Sequence, residues 1–229
     1  GTDVFDQDIF TILEGAKSPN TKIDVVSLAP DRPKHLEYHA YESLVVADIV
    51  KLTYQASPEY DGIVIGCFYD VGLREAREVS GRAVVTAPCQ AATDIASHLG
   101  NTFSLLVTRK KCVSKMTENI RMYGHEHAMV SVRNLGLGVH ELQEDHVATC
   151  ERLMIEGARA VEEDGAEVLV LGCTAEYGFY QNMQKKLGVP VVDAILAPVK
   201  YAEFLIELRD RFGWVPSRKW GSEAPPKSE

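Results

Sequence analysis

One short pattern, an apolar run followed by a glycine and a cysteine, occurs twice in the chain and constrains the fold most. It is found in YDGIVIGCFYD at residues 60–70 and in AEVLVLGCTAEYG at residues 166–178. With Cys67 aligned on Cys173, both copies continue without a gap through a helix-like stretch to a second apolar run, AVVT or PVVD. The repeat predicts two similar lobes, each with one cysteine at the carboxyl end of a strand, where open α/β sheets bind ligands.

Short β-branched runs alternate with longer stretches of helical periodicity along the chain. The apolar runs are nearly continuous, which is typical of strands covered on both faces in a parallel sheet. The clearest helix is predicted from about Glu144 to Asp164. The predicted strands are Lys22 to Leu28, Gly62 to Gly66, Ala83 to Thr86, Phe103 to Val107, Met129 to Arg133, Val168 to Gly172 and Val189 to Val192.

This order of elements predicts an α/β fold in which helices cross over between parallel strands. We expect two pseudo-symmetric lobes with parallel sheets flanked by helices, and an active site in the cleft between the lobes. Residues 1–88 plus 194–229 are predicted to form the lobe that contains Cys67. Residues 89–193 are predicted to form the lobe that contains Cys173.

Composition limits the classes of partner. The formal net charge is -9 and the basic residues are scattered, which argues against nucleic acid or a membrane and favours a small-molecule substrate. The apolar runs are far shorter than the roughly 20 residues of a membrane helix. The opening GTDVFDQDIF lacks the pattern of a signal peptide, so we expect a cytoplasmic protein. The sequence is compatible with a homo-oligomer.

The five cysteines are odd in number and include no C-x-x-C pair, so we expect free thiols and no zinc or other metal site. A cysteine between a strand and a helix lies near the amino end of that helix, whose partial positive charge lowers the pKa of the thiol. The backbone N–H groups placed to receive a negative oxygen there are those of Phe68, Tyr69, Thr174 and Ala175.

Two thiols suit the inversion of a carbon next to a carbonyl. One thiolate removes the proton from one face and the other thiol delivers a proton to the opposite face. We therefore predict that Cys67 and Cys173 form a catalytic acid/base pair. The competing interpretation is that both cysteines only pack in the core, as a single buried cysteine usually does. Packing is the role expected for Cys89, Cys112 and Cys150, which lack the repeated context.

The two cysteine motifs, strand-G-C-x-x-D and strand-L-G-C-T-A-E, together with GVPVVDAILAPVKYAE, resemble the aspartate/glutamate/hydantoin racemase superfamily, most of all its hydantoin racemase branch. The resemblance covers residues from about Asp61 to Gly213. It implies racemisation of a carbon acid by two thiols, without a metal or a cofactor. It also implies that Thr108, which ends FSLLVT, lines the pocket.

The chain also departs from the superfamily's usual pattern. Amino-acid racemases of the superfamily carry C-N-T at the first motif, whereas the apolar Cys67-Phe68-Tyr69 suits a less charged ligand such as a 5-substituted hydantoin or a related cyclic ureide. Two cysteines argue against an arylmalonate decarboxylase, which keeps only the second. Three alternatives stay open: an aspartate- or glutamate-type racemase, a maleate-type cis-trans isomerase, and a non-catalytic module that binds a small ligand.

Family members begin with a strand that ends in a loop of Asn-Pro type. This sequence opens at GTDVFDQDIFTILEGA, which predicts the helix that follows such a strand, with Thr2 or Asp3 as its cap. Further polar candidates flank the motifs. Glu176 and Asp70 each follow a cysteine by three residues, and Glu176 is predicted to orient the substrate or to bind a backbone amide.

The remaining polar candidates lie outside the two motifs. Arg109 and Lys110 follow a strand and would pair with a substrate carboxylate or stay exposed. His35 and His39 are spaced to share one side of a helix, facing a ligand or serving as solvated or capping residues.

Overall fold

The computed structural model describes residues 1–226, which divide into two compact units. Unit 1 contains residues 1–66, 70–87 and 198–226, and unit 2 contains Cys67–Tyr69 and residues 88–197. Cys67 was expected in the first lobe, but the contacts of Cys67–Tyr69 place this tripeptide in unit 2. One such contact is the hydrogen bond from the side-chain amide of Asn119 to the carbonyl of Tyr69.

Helices and strands alternate along most of the described chain. The strands are β1 Gly62–Val64, β2 Val84–Thr86, β3 Phe103–Val107, β4 Met129–Asn134, β5 Val168–Leu171 and β6 Val191–Val192. The helices are α1 Asp6–Ala16, α2 His39–Ala56, α3 Leu73–Val79, α4 Pro88–Leu99, α5 Cys112–Met122, α6 Glu141–Glu144, α7 His146–Glu162, α8 Tyr180–Leu187 and α9 Leu196–Phe212. Two 3-10 turns are Glu126–Ala128 and Trp220–Ser222.

Unit 1 contains a small parallel sheet in which β1 pairs with β2. Each residue of β2 is buried, which explains the unbroken apolar run VVT. Helix α3 packs against β2 and against α2. A helix lies between the two parallel strands in sequence, as a parallel crossover requires.

Unit 2 is built on a parallel sheet with the strand order β4-β3-β5-β6. The two central strands β3 and β5 are fully buried along their length. Leu106, Leu169 and Leu171 of these strands pack with Leu153 of α7 and Phe179 before α8 in one hydrophobic cluster. This cluster fixes β3 and β5 side by side, and therefore fixes the edge of the sheet at which both strands end.

The six strands predicted from Gly62 onward are present, with ends that differ by at most two residues. The predicted strand from Lys22 to Leu28 is wrong, because this segment runs as irregular chain. Its residues are held by side-chain hydrogen bonds, such as Ser27 Oγ to the carbonyl of Thr2 (2.8 Å), rather than by a neighbouring strand in the part of the chain that the structure describes. A strand needs a partner for its N–H and C=O groups.

Two smaller predictions about helix ends are also wrong. Helix α1 begins at Asp6 with Phe5 at the cap position, so neither Thr2 nor Asp3 is its cap. His35 and His39 do not share one helix face, because α2 begins at His39 and His35 lies in the irregular segment before it. His39 Nδ1 lies 3.0 Å from Glu42 Oε1 in the first turn of α2.

Candidate active site

Three polar residues follow the carboxyl ends of neighbouring strands in unit 2. Thr108 follows β3, Cys173 comes two residues after β5, and Asp193 follows β6. Because parallel strands end at one edge of their sheet, these side chains lie along the same edge. The edge is fixed by the backbone, since the N–H of Gly172 donates to the carbonyl of Leu106 at 2.7 Å.

Cys173 opens a tight turn. The N–H of Glu176 donates to the carbonyl of Cys173 at 3.0 Å, and Thr174 and Ala175 form the bend between them. Gly172 is required by close packing, because a Cβ at this position would lie 2.5 Å from the carbonyl oxygen of Leu106. The glycine of this motif therefore lets the chain leave β5 in contact with β3.

The Cys173 thiol lies in a desolvated, acidic environment. Part of its surface stays accessible, but the protein around it excludes enough water to raise its pKa well above the usual value. Negative charge on the neighbouring Glu176, Cys67 or Cys112 would raise the pKa further, whereas the backbone N–H of Ala175 lowers it by stabilising the thiolate. Cys173 is therefore a thiol that holds its proton, with one amide placed to stabilise the anion that remains after the proton leaves.

Cys67 lies at the start of a second turn, three residues after β1. Cys67 is partly exposed, whereas the side chains of Phe68 and Tyr69 are buried. Phe68 and Tyr69 form the bend, and the amide of Asn119 donates to the carbonyl of Tyr69 at 2.8 Å. Because Cys67 contributes to the pKa of Cys173, the two thiols are close enough for their charges to interact. The structure thus brings both sequence-predicted cysteines into one unit.

Glu176 is the most unusual polar group in this region. It is only 1% exposed, and within residues 1–226 neither carboxyl oxygen has a hydrogen-bond partner of acceptable geometry. Burial raises its pKa well above the usual value, and Asp193 and Cys112 raise it further, against the opposing effect of the nearby amides of Cys173 and Gly172. A buried carboxyl group in this setting holds a proton.

Asp193 differs from Glu176 because its carboxylate accepts hydrogen bonds from the backbone. Its Oδ1 accepts hydrogen bonds from the N–H groups of Ile195 (2.8 Å) and Leu196 (3.0 Å), which caps the start of α9. Burial nevertheless raises the pKa of Asp193.

The other predicted site residues fall into two groups. Thr174 is partly exposed next to Cys173, whereas Ala175 and Thr108 are buried. Thr108 Oγ1 lies 3.3 Å from the Cys112 sulfur, so Cys112 is a third thiol of this region that the sequence analysis assigned to packing alone. At the start of α5, Lys110 is exposed and Arg109 is partly exposed.

Two residues of the site were missed from the sequence. Asn119 had a usable signal, because it shares the buried face of α5 with Met116 and Ile120 and is a polar residue on an apolar stripe. Gln143 in α6 donates to the carbonyls of Ala175 (2.7 Å) and Tyr177 (3.3 Å). Gln143 had no such signal, because α6 has only four residues and carries no clear periodicity.

Two surface cavities are lined by neither Cys67 nor Cys173. One, of about 500 Å³, belongs to unit 1 and is lined by residues that include Tyr60, Arg82 and Arg209. Arg209 is already paired with Asp61 at 2.7 Å. The other, of about 320 Å³, lies beside Cys150 in unit 2. The chemistry of the side chains, rather than the size of a cavity, identifies the candidate site.

Two further features are absent from the described part of the chain. Residues 1–226 include no group of three or more His, Cys, Asp or Glu side chains arranged to hold a metal ion. Within the same range, no helix is both long and apolar enough to cross a membrane.

Comparison with known proteins gives one consistent result. The family model described as Asp/Glu/Hydantoin racemase matches residues 3–202. A hydantoin racemase from Pseudomonas sp. (strain NS671) is 31% identical over 221 residues, which are 95% of this chain and 87% of that protein.

Two solved structures are similar over almost the whole chain. The allantoin racemase from Klebsiella pneumoniae has a TM-score of 0.88 and 25% identity, with 96% of this chain and 88% of that chain covered. The allantoin racemase from Pseudomonas fluorescens has a TM-score of 0.87 and 28% identity, with 96% and 92% covered. These similarities confirm the predicted α/β fold with parallel sheets flanked by helices.

Proposed function

This chain belongs to the Asp/Glu/hydantoin racemase family and is a racemase, and we propose that it racemises 5-substituted hydantoins or related cyclic ureides through Cys67 and Cys173. Membership of a racemase family argues against the alternative of a non-catalytic ligand-binding module. The two-thiol mechanism and the substrate class are the parts that we propose.

One observation carries the mechanism. Two partly exposed cysteines, each at the start of a turn that follows a strand, lie in one unit and interact electrostatically. Phe68, Tyr69 and Ala175 beside them are buried, whereas both cysteines remain partly exposed. Cys150 on α7 is also partly exposed, so the position at a strand end, and not exposure alone, distinguishes Cys67 and Cys173.

The proton transfers balance over one turnover. One thiolate removes the proton from C5, so the C5–H bond breaks, an S–H bond forms, and the electron pair moves onto the C4 carbonyl oxygen as an enolate. The other thiol then gives its proton to C5 on the opposite face and becomes a thiolate. Because burial raises the pKa of Cys173, we assign Cys173 as the thiol that holds its proton in the resting enzyme.

Backbone amides provide the proposed contacts to the enolate oxygen. The N–H groups of Phe68, Tyr69 and Thr174 belong to turns fixed at their ends, so they need little reorganisation as charge develops. Ala175 serves the Cys173 thiolate itself. We place Thr108 and Glu176, which are buried, behind the thiols, where a protonated Glu176 avoids a second negative charge beside Cys173.

The names of the similar proteins support the substrate class. Relatives in sequence are called hydantoin racemases, and the two similar structures are called allantoin racemases. Allantoin is itself a hydantoin with a ureido group at C5, so both names describe one kind of carbon acid. A 5-substituted hydantoin carries its acidic C5–H directly beside the C4 carbonyl, as the two-thiol mechanism requires.

The test follows racemisation and hydrogen exchange together. L- and D-5-benzylhydantoin are incubated in deuterated buffer with wild type, Cys67→Ser or Cys173→Ser, while polarimetry records optical rotation and proton NMR records deuterium at C5. We expect each substitution to lower the rate of racemisation by about 10²- to 10⁴-fold, because each removes one acid/base. A variant that still exchanges deuterium into only one enantiomer identifies the face that its remaining thiol serves.

Cys150→Ser is the matched control, because Cys150 is also partly exposed but lies on α7. It should keep wild-type activity. Racemisation that survives both site substitutions would refute the two-thiol mechanism. If wild type does not racemise the hydantoin above the rate in buffer, the proposed substrate class is wrong, and aspartate, glutamate and maleate are assayed next.

A further inference from the structure

Each of the two cysteine turns accepts one hydrogen bond of the same kind, which the sequence does not predict. In each turn, the carbonyl of the second residue after the cysteine accepts from a side-chain amide. Asn119 Nδ2 donates to the carbonyl of Tyr69 at 2.8 Å, and Gln143 Nε2 donates to the carbonyl of Ala175 at 2.7 Å. The two donors come from different helices, α5 and α6, so the correspondence is not a product of one local motif.

The buried Asn119 amide requires a hydrogen-bond partner within the protein. Asn119 is 5% exposed and lies on the apolar face of α5, beside Met116 and Ile120. A buried amide without a partner destabilises the fold, so the carbonyl of Tyr69 stabilises Asn119 as much as Asn119 orients the carbonyl. The peptide group that follows Tyr69 is therefore fixed relative to α5.

The Gln143 amide holds a peptide group whose other end is also bound. Its target carbonyl belongs to Ala175, and the N–H of the same trans peptide, that of Glu176, donates to the carbonyl of Cys173 at 3.0 Å. The peptide group is thus held at both ends. The preceding peptide group carries the N–H of Ala175, which stabilises the Cys173 thiolate. Gln143 therefore acts on the sulfur of Cys173 through one intervening residue.

We propose that Asn119 and Gln143 are positioning residues that each hold the turn of one thiol, Asn119 that of Cys67 and Gln143 that of Cys173. Neither side chain touches the reacting atoms. Each sets the direction of the backbone amides in one turn, and through them the reactivity of one thiolate. The role in catalysis rests on the proposed two-thiol function, but the effect on each thiol does not depend on any substrate.

The experiment measures both thiols separately in the full chain. The rate of alkylation by iodoacetamide is followed at each cysteine by peptide mass spectrometry from pH 6 to pH 10, for wild type, Asn119→Leu and Gln143→Met. We expect Gln143→Met to move the Cys173 profile upward by about 0.5 to 1 pH unit, a three- to tenfold change in thiolate population, as the loss of one hydrogen bond would give. The Cys67 profile should stay in place.

Asn119→Leu should do the converse, changing the Cys67 profile and not that of Cys173. Gln181→Met is the matched control, because Gln181 is an exposed glutamine of α8 whose amide binds only the hydroxyl of Tyr180 among the contacts described within residues 1–226. It should change neither profile. Cys150 provides an internal reference in every sample.

Asn119→Asp provides a second variant should Asn119→Leu fail to fold. It keeps the shape of the side chain and loses the N–H donor at pH values where the carboxyl group is ionised. Both thiol profiles changing together, or neither changing, in variants with a wild-type circular dichroism spectrum would overturn the proposal, since a merely structural role would loosen both turns.

Racemase assays on the same variants separate this proposal from the proposed function. If 5-benzylhydantoin is not racemised by wild type but each variant still changes its own thiol, the positioning role holds and the substrate assignment fails. If wild type racemises the hydantoin but the thiol profiles do not respond selectively, the function holds and the positioning role fails.

Discussion

The two cysteine turns look like copies in the sequence, yet the structure supports them differently. Gly172 has no room for a Cβ, which would lie 2.5 Å from the carbonyl oxygen of Leu106 and 2.9 Å from Val107 Cγ1. Gly66 is exposed, and a Cβ there would meet no described atom within 4 Å. Close packing therefore requires glycine at Gly172, whereas the position of Gly66 has room for a larger side chain.

The acidic residues that follow each cysteine by three differ in the same way. Asp70 has a φ of +53°, in the left-handed region that L-residues other than Asn and Asp seldom adopt. Glu176 has ordinary backbone geometry, and its peculiarity lies in a buried carboxyl group. The repeat therefore conserves the placement of a thiol at the start of a turn, while each copy is stabilised by its own local chemistry.

The largest expected effect is a difference in stability between alanine substitutions at Gly172 and at Gly66. We expect Gly172→Ala to lower the free energy of unfolding by about 2 to 3 kcal/mol, because the backbone of β3 must shift to admit the methyl group. Activity should fall with it, since Cys173 is the next residue. Gly66→Ala should change the free energy of unfolding by less than about 1 kcal/mol. Urea denaturation of both variants measures the difference, and equal losses would contradict it.

The second effect concerns the buried carboxyl group of Glu176. Because its pKa in the folded protein is raised, the folded state keeps a proton that the unfolded chain loses above the ordinary glutamate pKa of 4.5. The free energy of unfolding should therefore fall as pH rises above that value, by up to about 1.4 kcal/mol per pH unit. Glu176→Gln removes this titration, so thermal unfolding from pH 5 to pH 8 should show a smaller loss of stability than wild type.

Glu203→Gln is the matched control for the Glu176 experiment. Burial alone would raise the pKa of Glu203, but hydrogen bonds from Lys200, Thr21 and Ser18 lower it to about 2. Its stabilising contribution is present above the ordinary glutamate pKa of 4.5 and is lost as pH falls through its folded pKa of about 2. The substitution should therefore leave the slope between pH 5 and pH 8 unchanged. If Glu176→Gln and wild type share one slope, the carboxyl group of Glu176 is not held protonated.

The smallest effect tests the backbone of the first turn. Asp70→Asn should be nearly neutral in stability, because Asn tolerates the left-handed conformation about as well as Asp. Asp70→Ala should lower the free energy of unfolding by about 1 to 2 kcal/mol. Asp70→Gly distinguishes the causes, since glycine relieves the backbone but also lacks the buried side chain. If the glycine variant is as unstable as the alanine variant, the loss of the buried Asp70 side chain, and not its backbone φ, causes the loss of stability.

The sequence predicted the sheet strands well where burial dictated them. Strands β3 and β5 are buried on both faces, so their apolar runs had no other explanation. The segment from Lys22 to Leu28 has the same β-branched character, but Val26 is 74% exposed and the segment lacks a neighbouring strand among residues 1–226. Composition reports the propensity of a segment, whereas the presence of a partner is decided by the rest of the chain.

The candidate site was predictable only in part. Cys67 and Cys173 were found because the repeat marks their positions in the sequence, and Glu176 was found by its spacing from Cys173. Asn119 and Gln143 act through contacts 50 and 32 residues away in the chain, which local patterns do not encode. The raised pKa of Cys173 was also unforeseen, because the start of a helix was expected to lower it and desolvation has the larger effect.

The placement of Cys67–Tyr69 has a consequence for dissecting the enzyme. A fragment of residues 88–197 would retain β3 to β6 and Cys173, yet it would lack the tripeptide that the contacts assign to the same unit. In such a fragment Asn119 would lose the carbonyl of Tyr69. Cutting the gene at the apparent unit boundary would therefore separate Cys67 from Cys173. Modular swaps between relatives must carry the short segment around Cys67 together with residues 88–197.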